Sequence, residues 1–360
     1  MRAAVGLRHT ARMTNPPLVQ LLRGAAVESR HADSLAVVDA DGALLASLGD
    51  IERPVFPRSA VKALQALPLV AGCAADAFGL RDEELALACA SHGGEDGHVA
   101  TARAMLAKAS LDESALECGA HWPYLDTAVH ALARAGRTPG PAHNNCSGKH
   151  AGFVCVGCLM ARDTGRDPQA FVRGYVRHEH PVMREVAAAL AAVTGADIER
   201  APRGIDGCSI PTYGIALRAM ALGFARFGSG HGLSAAHAGA ARRLRGAVAT
   251  SPWHAAGTGR FDTRVMQHFG DRVFCKVGAE GVYGAALPAR GLGVAIKIDD
   301  DGAARAAEVV MAAVVEALVA LDDRDTAFVH GLVEPPLRNW NGIEVGRLEP
   351  TQILRDALRR

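Results

Sequence analysis

Strand-like sequence stands at both ends of this chain, and most of what lies between reads as helix. SRHADSLAVVDADGALLASLGD (residues 29–50) holds two apolar runs around the tight-turn signal Asp39-Ala40-Asp41-Gly42, which predicts a hairpin. Near the other end, RVFCKVGAEG, VYGAALP and LGVAIKID are short apolar runs separated by glycine turns. The amphipathic stretch AARAAEVVMAAVVEALVAL follows them. DEELALACASHGGEDGHVATARAMLAKA, VRHEHPVMREVAAALAAVTG and AAHAGAARRLRGAVAT, all between the two ends, read as helix-rich. This order predicts an α+β fold: an antiparallel sheet built from both chain ends with a helical lobe inserted, and not an alternating βαβ plan. The expected layout is a loose tail over residues 1–16 and a single domain over 17–360. That domain divides into a hairpin (17–50), a lobe (about 51–270) and C-terminal strands with a helix (about 271–350).

Charge removes several classes of partner. A net charge of +1 over 360 residues gives no electrostatic support to nucleic-acid or membrane-surface binding. No stretch approaches the roughly 18 uninterrupted apolar residues of a membrane span. The first thirty residues carry arginines at 2, 8, 12, 23 and 30 without an export-signal core, so a cytoplasmic setting is expected. The eight cysteines are then expected to be thiols, as core fillers or ligands.

Only five of the 39 basic residues are lysines. Arginine stays protonated, whereas a neutral lysine can act as a base or give a lone pair to a metal. Each lysine is therefore informative. In PRSAVKALQ (57–65), Ser59 and Lys62 are three apart on a helix opened by proline, so their side chains share one face. A serine becomes a useful nucleophile when a neighbouring base takes its proton, and burial or a second cation can make lysine that base. Ser91 in ACASHGGE and Lys276-Val277-Gly278 on an expected strand follow in the order seen in penicillin-recognising enzymes, although the strings are SHG and KVG, not SDN and KTG. Lys276 would supply positive charge that keeps Lys62 neutral, or would pair with Ser91.

A second group lies in HNNCSGKHAG (143–152) and GIDGCSIP (204–211). Cys146, Lys149 and Cys208 offer two thiolates and an amine, a set that could hold zinc with one position left for water; buried thiols are the alternative. Cys155 and Cys158 sit inside the apolar run FVCVGCLMA and are expected in the core. Gly257-Thr258-Gly259 lacks the third glycine of a dinucleotide loop. His178 and His180 are expected at the surface.

From about residue 17 to the C-terminus the chain resembles the Rhizobium etli type II-like L-asparaginases. The resemblance rests on ESRH, PVFPRSAVKALQALPL, LACASHGGE, ALECGAHWP, HNNCSGKHAGF, GIDGCSIP, KVGAEGV and RNWNGIEVG. It implies a fold similar to glutaminases and serine β-lactamases, and a homodimer. It implies a nucleophile at Ser59 with Lys62 as partner, and Ser91 with Lys276 as a second pair. Cys146, Lys149 and Cys208 would bind zinc, with Asp206 in the same loop and the small molecule L-asparagine as substrate. Arg58 is a candidate partner for the substrate carboxylate. Glutaminase, β-lactam or peptide hydrolase activity on the same scaffold is the alternative.

Overall fold

The computed structural model describes residues 15–300 and 303–359. Three strands open it: β1 (Pro17–Arg23), β2 (Ala26–Asp39) and β3 (Leu44–Leu48). Four short strands lie within the lobe, β4 (Pro54–Val55), β5 (Arg203–Ile205), β6 (Pro211–Tyr213) and β7 (Ile215–Ala216). They form two small ladders, β4 with β7 and β5 with β6. Then come β8 (Phe274–Val277), β9 (Val282–Leu287) and β10 (Leu292–Ile298), and finally β11 (Pro336–Arg338) and β12 (Glu344–Pro350).

The main sheet runs β11-β12-β1-β2-β10-β9-β8, with β3 also on β2, and every pairing is antiparallel. The long strand β2 joins its halves. Ala26–Ala32 pair with β1, and Asp33–Asp39 pair with β10. The sheet is therefore drawn from both chain ends, as the order of segments predicts. The hairpin turn is built as its sequence dictates: the Asp39 side chain accepts from the N–H groups of Asp41 and Ala43, and Gly42 takes a φ of +88°.

Some strands are not visible in the sequence pattern. Residues 17–50 hold three strands where two are expected, because PLVQLLR does not alternate and is held by its ladder to β12, Val19 opposite Pro350. β11, β12 and a last helix, Gln352–Leu358, were likewise not expected. Most of the tail expected over residues 1–16 lies outside the described residues. Asn15 and Pro16 are not loose: Asn15 bonds Asp299 and the Asp50 N–H, and the Pro16 carbonyl accepts from Asp33.

β9 and β10 are buried along nearly their whole length, so both faces are covered and their sequences are continuous apolar runs. The helix Leu217–Ser229 packs on β2, β9 and β10, and Ala303–Leu318 on β1, β9, β10 and β12. Approach is close where glycine allows it. A Cβ at Gly293 would run into the Ala221 carbonyl and the Ala225 amide, and one at Gly284 into the Phe224 ring. Of the lobe helices, Ala235–Thr250 and Phe261–Phe269 meet β8 at the edge of this layer. No helix among the described residues is long and apolar enough to cross a membrane. Gly293→Ala should destabilise the fold by about 3 kcal/mol, since helix backbone cannot yield as a side chain would. Urea unfolding measures it, and a loss below about 1 kcal/mol would show the helix is free to shift.

Candidate active site

Ser59 does not begin on a regular α-helix. Arg58–Val61 form a 3₁₀ turn capped by Pro57, and the α-helical turn Lys62–Gln65 follows. The Lys62 N–H donates to the Ser59 carbonyl, and in a 3₁₀ turn side chains three apart eclipse. Ser59 and Lys62 therefore stand on one face, Ser59 half-buried and Lys62 fully buried. Arg58 has a φ of +50°, a left-handed conformation that a side chain makes costly. Such strain collects where a neighbouring group must be held in one place.

Lys62 Nζ donates to the Ala90 carbonyl at 2.7 Å and to that of Asn145 at 3.4 Å, and lies 2.9 Å from Ser91 Oγ. Burial lowers its pKa, the Lys149 cation lowers it further, and Cys146 opposes both. Among the described residues no hydrogen bond joins Ser59 Oγ to Lys62 Nζ; the serine bonded to Lys62 is Ser91. Ser91 follows the helix Asp82–Ala88, and its loop is tied to the neighbouring segment through His92. The Gly94 N–H donates to His92 Nδ1, which leaves the ring proton on Nε2 to donate to Ser147 Oγ at 2.9 Å. Ser147 Oγ in turn donates to the Ala142 carbonyl, and the His92 N–H to that of Asn145. Two loops distant in sequence are thus held in register beside Lys62.

Lys276 lies on β8, on the expected strand, and is 1% exposed. Its Nζ donates to the Val277 carbonyl at 2.8 Å and faces Asp262 Oδ2 at 3.9 Å. Burial pushes its pKa down to about 7, with Asp262 opposing and Lys62 adding to the fall. Lys276 thus stands within electrostatic reach of Lys62, but its near partner is Asp262 where the resemblance implied Ser91.

The cysteine–lysine group converges from two places. Cys146 caps the helix Ser147–Asp163, which carries Lys149 on its first turn; Cys208 comes from the loop between β5 and β6. All three are buried, with Lys149 Nζ 3.1 Å from Cys208 Sγ. A hydrogen bond with Cys208 holds the Cys146 thiol well below its usual range, against burial and helped by Lys62 and Lys149. Cys208, giving that proton, is raised. Burial would lower Lys149, but Cys208, Cys146 and Asp206 raise it. Two sulfurs and an amine at contact distance suit a zinc ion's donor set. Among the described residues no three His, Cys, Asp or Glu stand together as a metal site; this trio reaches three donors by counting Lys149.

Asp206 joins that loop to Arg58, the residue before Ser59. Its Oδ1 accepts from Arg58 Nε at 2.6 Å and from the Gly207 N–H at 2.7 Å. Burial raises its carboxyl, but Lys149 and then Arg58 outweigh burial and hold it below the ordinary value. Arg58 also lines a cavity of about 320 Å³ with Phe56, Ile205, Thr212 and Val282. Ser59, Lys62, Ser91, Lys276, Arg58, Asp206, Cys146, Lys149 and Cys208 thus form one linked neighbourhood. Cys155 and Cys158 are buried in the core and all eight cysteines are free. His178 and His180 are half-buried: His178 bonds Tyr213, and His180 caps the helix Pro181–Thr194.

Sequence reasoning missed Asp262, Tyr283, His92 and Asn145. Asp262 had no distinguishing signal, since an acid in a helix's first turn is commonplace. His92 had one, its place directly after Ser91.

The sequence profile of L-asparaginase II matches residues 19–350. No curated protein sequence matches the chain. Among solved structures, a β-lactamase from Mycobacterium bovis is similar at 16% identity, over 78% of this chain and 94% of that one, with a TM-score of 0.34. At that score the likeness carries no argument about this chain.

Proposed function

The chain belongs to the L-asparaginase II family, and from that membership we propose that it hydrolyses the side-chain amide of L-asparagine to L-aspartate and ammonia, with Ser59 as nucleophile. The observation that carries this reading is a fully buried lysine one 3₁₀ turn after a half-buried serine and 2.9 Å from a second serine. Lys62 enters neutral and takes the Ser59 proton as Ser59 Oγ attacks the amide carbon. Its two N–H bonds rest on the carbonyls of Ala90 and Asn145. Ser91 gives its hydroxyl proton to the departing nitrogen, which leaves as ammonia, and recovers a proton from Lys62. Water then attacks the aspartyl ester. Its proton passes through Ser91 to Lys62, the ester bond to Ser59 breaks, and Lys62 returns that proton to Ser59 Oγ; Lys276, neutral nearby, leaves Lys62 able to carry the proton in passing. Arg58, held by Asp206 and lining the cavity, receives the substrate carboxylate.

Zinc fits the same reading, held by Cys146, Lys149 and Cys208. Bound there it would fix the Cys208 loop to the start of the helix Ser147–Asp163 and add positive charge near Asp206. A homodimer in the cytoplasm belongs to the same proposal.

Ser59→Ala should reduce ammonia release from asparagine on the order of 10³-fold or more while circular dichroism is unchanged. Substantial surviving turnover would remove Ser59 from the mechanism. Running glutamine and a chromogenic β-lactam alongside decides among the amide substrates. Elemental analysis of the purified protein should find about one zinc per chain, lost in Cys208→Ser; a protein that neither contains nor takes up zinc would refute the site. Turnover should also follow a single protonation near pH 7. Lys276 works neutral, so kcat falls as pH drops through its pKa of about 7 and is level above it. A profile that instead declines as pH rises through 7 would assign Lys276 the opposite charge.

A further inference from the structure

Lys276 needs a device that sets its charge, because a fully buried amine has no water to do so. Asp262, 2% exposed at the start of the helix Phe261–Phe269, is placed for it. Its Oδ2 accepts the Val277 N–H at 3.0 Å and faces Lys276 Nζ at 3.9 Å. Its Oδ1 accepts from the hydroxyl of Tyr283, a fully buried residue on the neighbouring strand β9. In the strand ladder Val277 lies opposite Tyr283, so the two donors to Asp262 come from one registered pair. A carboxylate with both oxygens taken by fixed donors is held in one orientation, and that orientation points it at the lysine.

The other groups around this pair do not serve. Arg260, in the preceding loop, carries the same sign as Lys276 and lowers it. Glu308 on the helix Ala303–Leu318 is raised to about 7 by burial and then by Asp262. Cys275 and Cys89 are pushed up by burial and stay neutral, and Lys62 repels. Cys146 lies across the site with a hydrogen bond and two cations of its own.

We propose that Asp262 is the buried counter-ion and positioning residue of Lys276, fixed in place by Tyr283 and the Val277 N–H. The inference rests on the reading above for Lys276's part in turnover, but not for its charge. Burial raises the Asp262 carboxyl, while Lys276 and the Val277 N–H pull it back toward the ionised form; ionised, it holds the lysine's pKa up, where burial alone would take it lower.

The test reads the charge directly. With only five lysines, selective ¹³C labelling at Cε gives a short spectrum in which Lys276 is assigned by Lys276→Arg. In Asp262→Asn the Lys276 midpoint should fall by about one pH unit or more, and the acid limb of kcat should move down with it, retaining roughly tenfold more of its plateau below the wild-type midpoint. Tyr283→Phe removes one donor to the carboxylate, so the Asp262 carboxyl should rise and the Lys276 midpoint should fall part of the way toward its value in Asp262→Asn; a midpoint left at wild type takes Tyr283 out of the device. The reciprocal variant Lys276→Met reads the pair from the other side, through a rise in the midpoint of the labelled Asp262 carboxyl. That arm stands if Asp262→Asn does not fold. A Lys276 midpoint unchanged in folded Asp262→Asn, or an Asp262 carboxyl unmoved by Lys276→Met, overturns the inference. If the midpoints shift in a protein that releases no ammonia from asparagine, the counter-ion stands and the asparaginase reading falls.

Discussion

Two lysine amines taken out of water are the constraint on which the site depends. An ammonium in a protein interior is unfavourable unless it finds acceptors or gives up its proton, and Lys62 and Lys276 meet that condition differently. Lys62 has two carbonyls and a serine oxygen within reach. Lys276 has one carbonyl and a carboxylate at ion-pair range. The Lys62 cation makes the charged form of Lys276 less favourable, as Lys149 does for Lys62, so neighbouring amines here do not all hold a proton at once. A neutral amine is the state in which lysine can take a proton from a hydroxyl.

That arrangement explains why the surrounding loops are tied so heavily. Ala90 and Asn145, the carbonyls that hold Lys62, belong to segments that meet only in the folded protein. His92 joins them by accepting with one ring nitrogen and donating with the other. On the far side, Asp206 links Arg58 to the loop of Cys208, so the strained residue before Ser59 and the sulfur cluster move as one unit. β8, which delivers Lys276, is buried at the sheet's end against the lobe helix that supplies Asp262. The site thus sits where the two halves of the architecture touch.

Much of the fold is legible because its signals are local. A turn at Asp39–Gly42 needs only the conformations of a few residues, and the apolar runs of β9 and β10 state that both faces are covered. β1 and β12 escaped notice because each is a strand by virtue of the other, more than 300 residues away. The Ser59–Lys62 relation survives even though the helix start is 3₁₀, since a spacing of three keeps both side chains on one face in either geometry. Ser91's partner could not be read the same way: it lies 29 positions from Lys62, and nothing local chooses between Lys62 and Lys276.

Local sequence carries the broad order of hairpin, lobe and C-terminal strands, the turn chemistry, the identity of the chemically capable side chains and the face shared by Ser59 and Lys62. Those depend on backbone preferences and short-range sterics, which are written residue by residue. Folding alone settles which serine meets which lysine, that the Cys208 loop reaches Lys149, and that Asp262 and Tyr283 stand beside Lys276. Burial and Coulomb interaction act through space, and the chain states nothing about distance through space until it has folded.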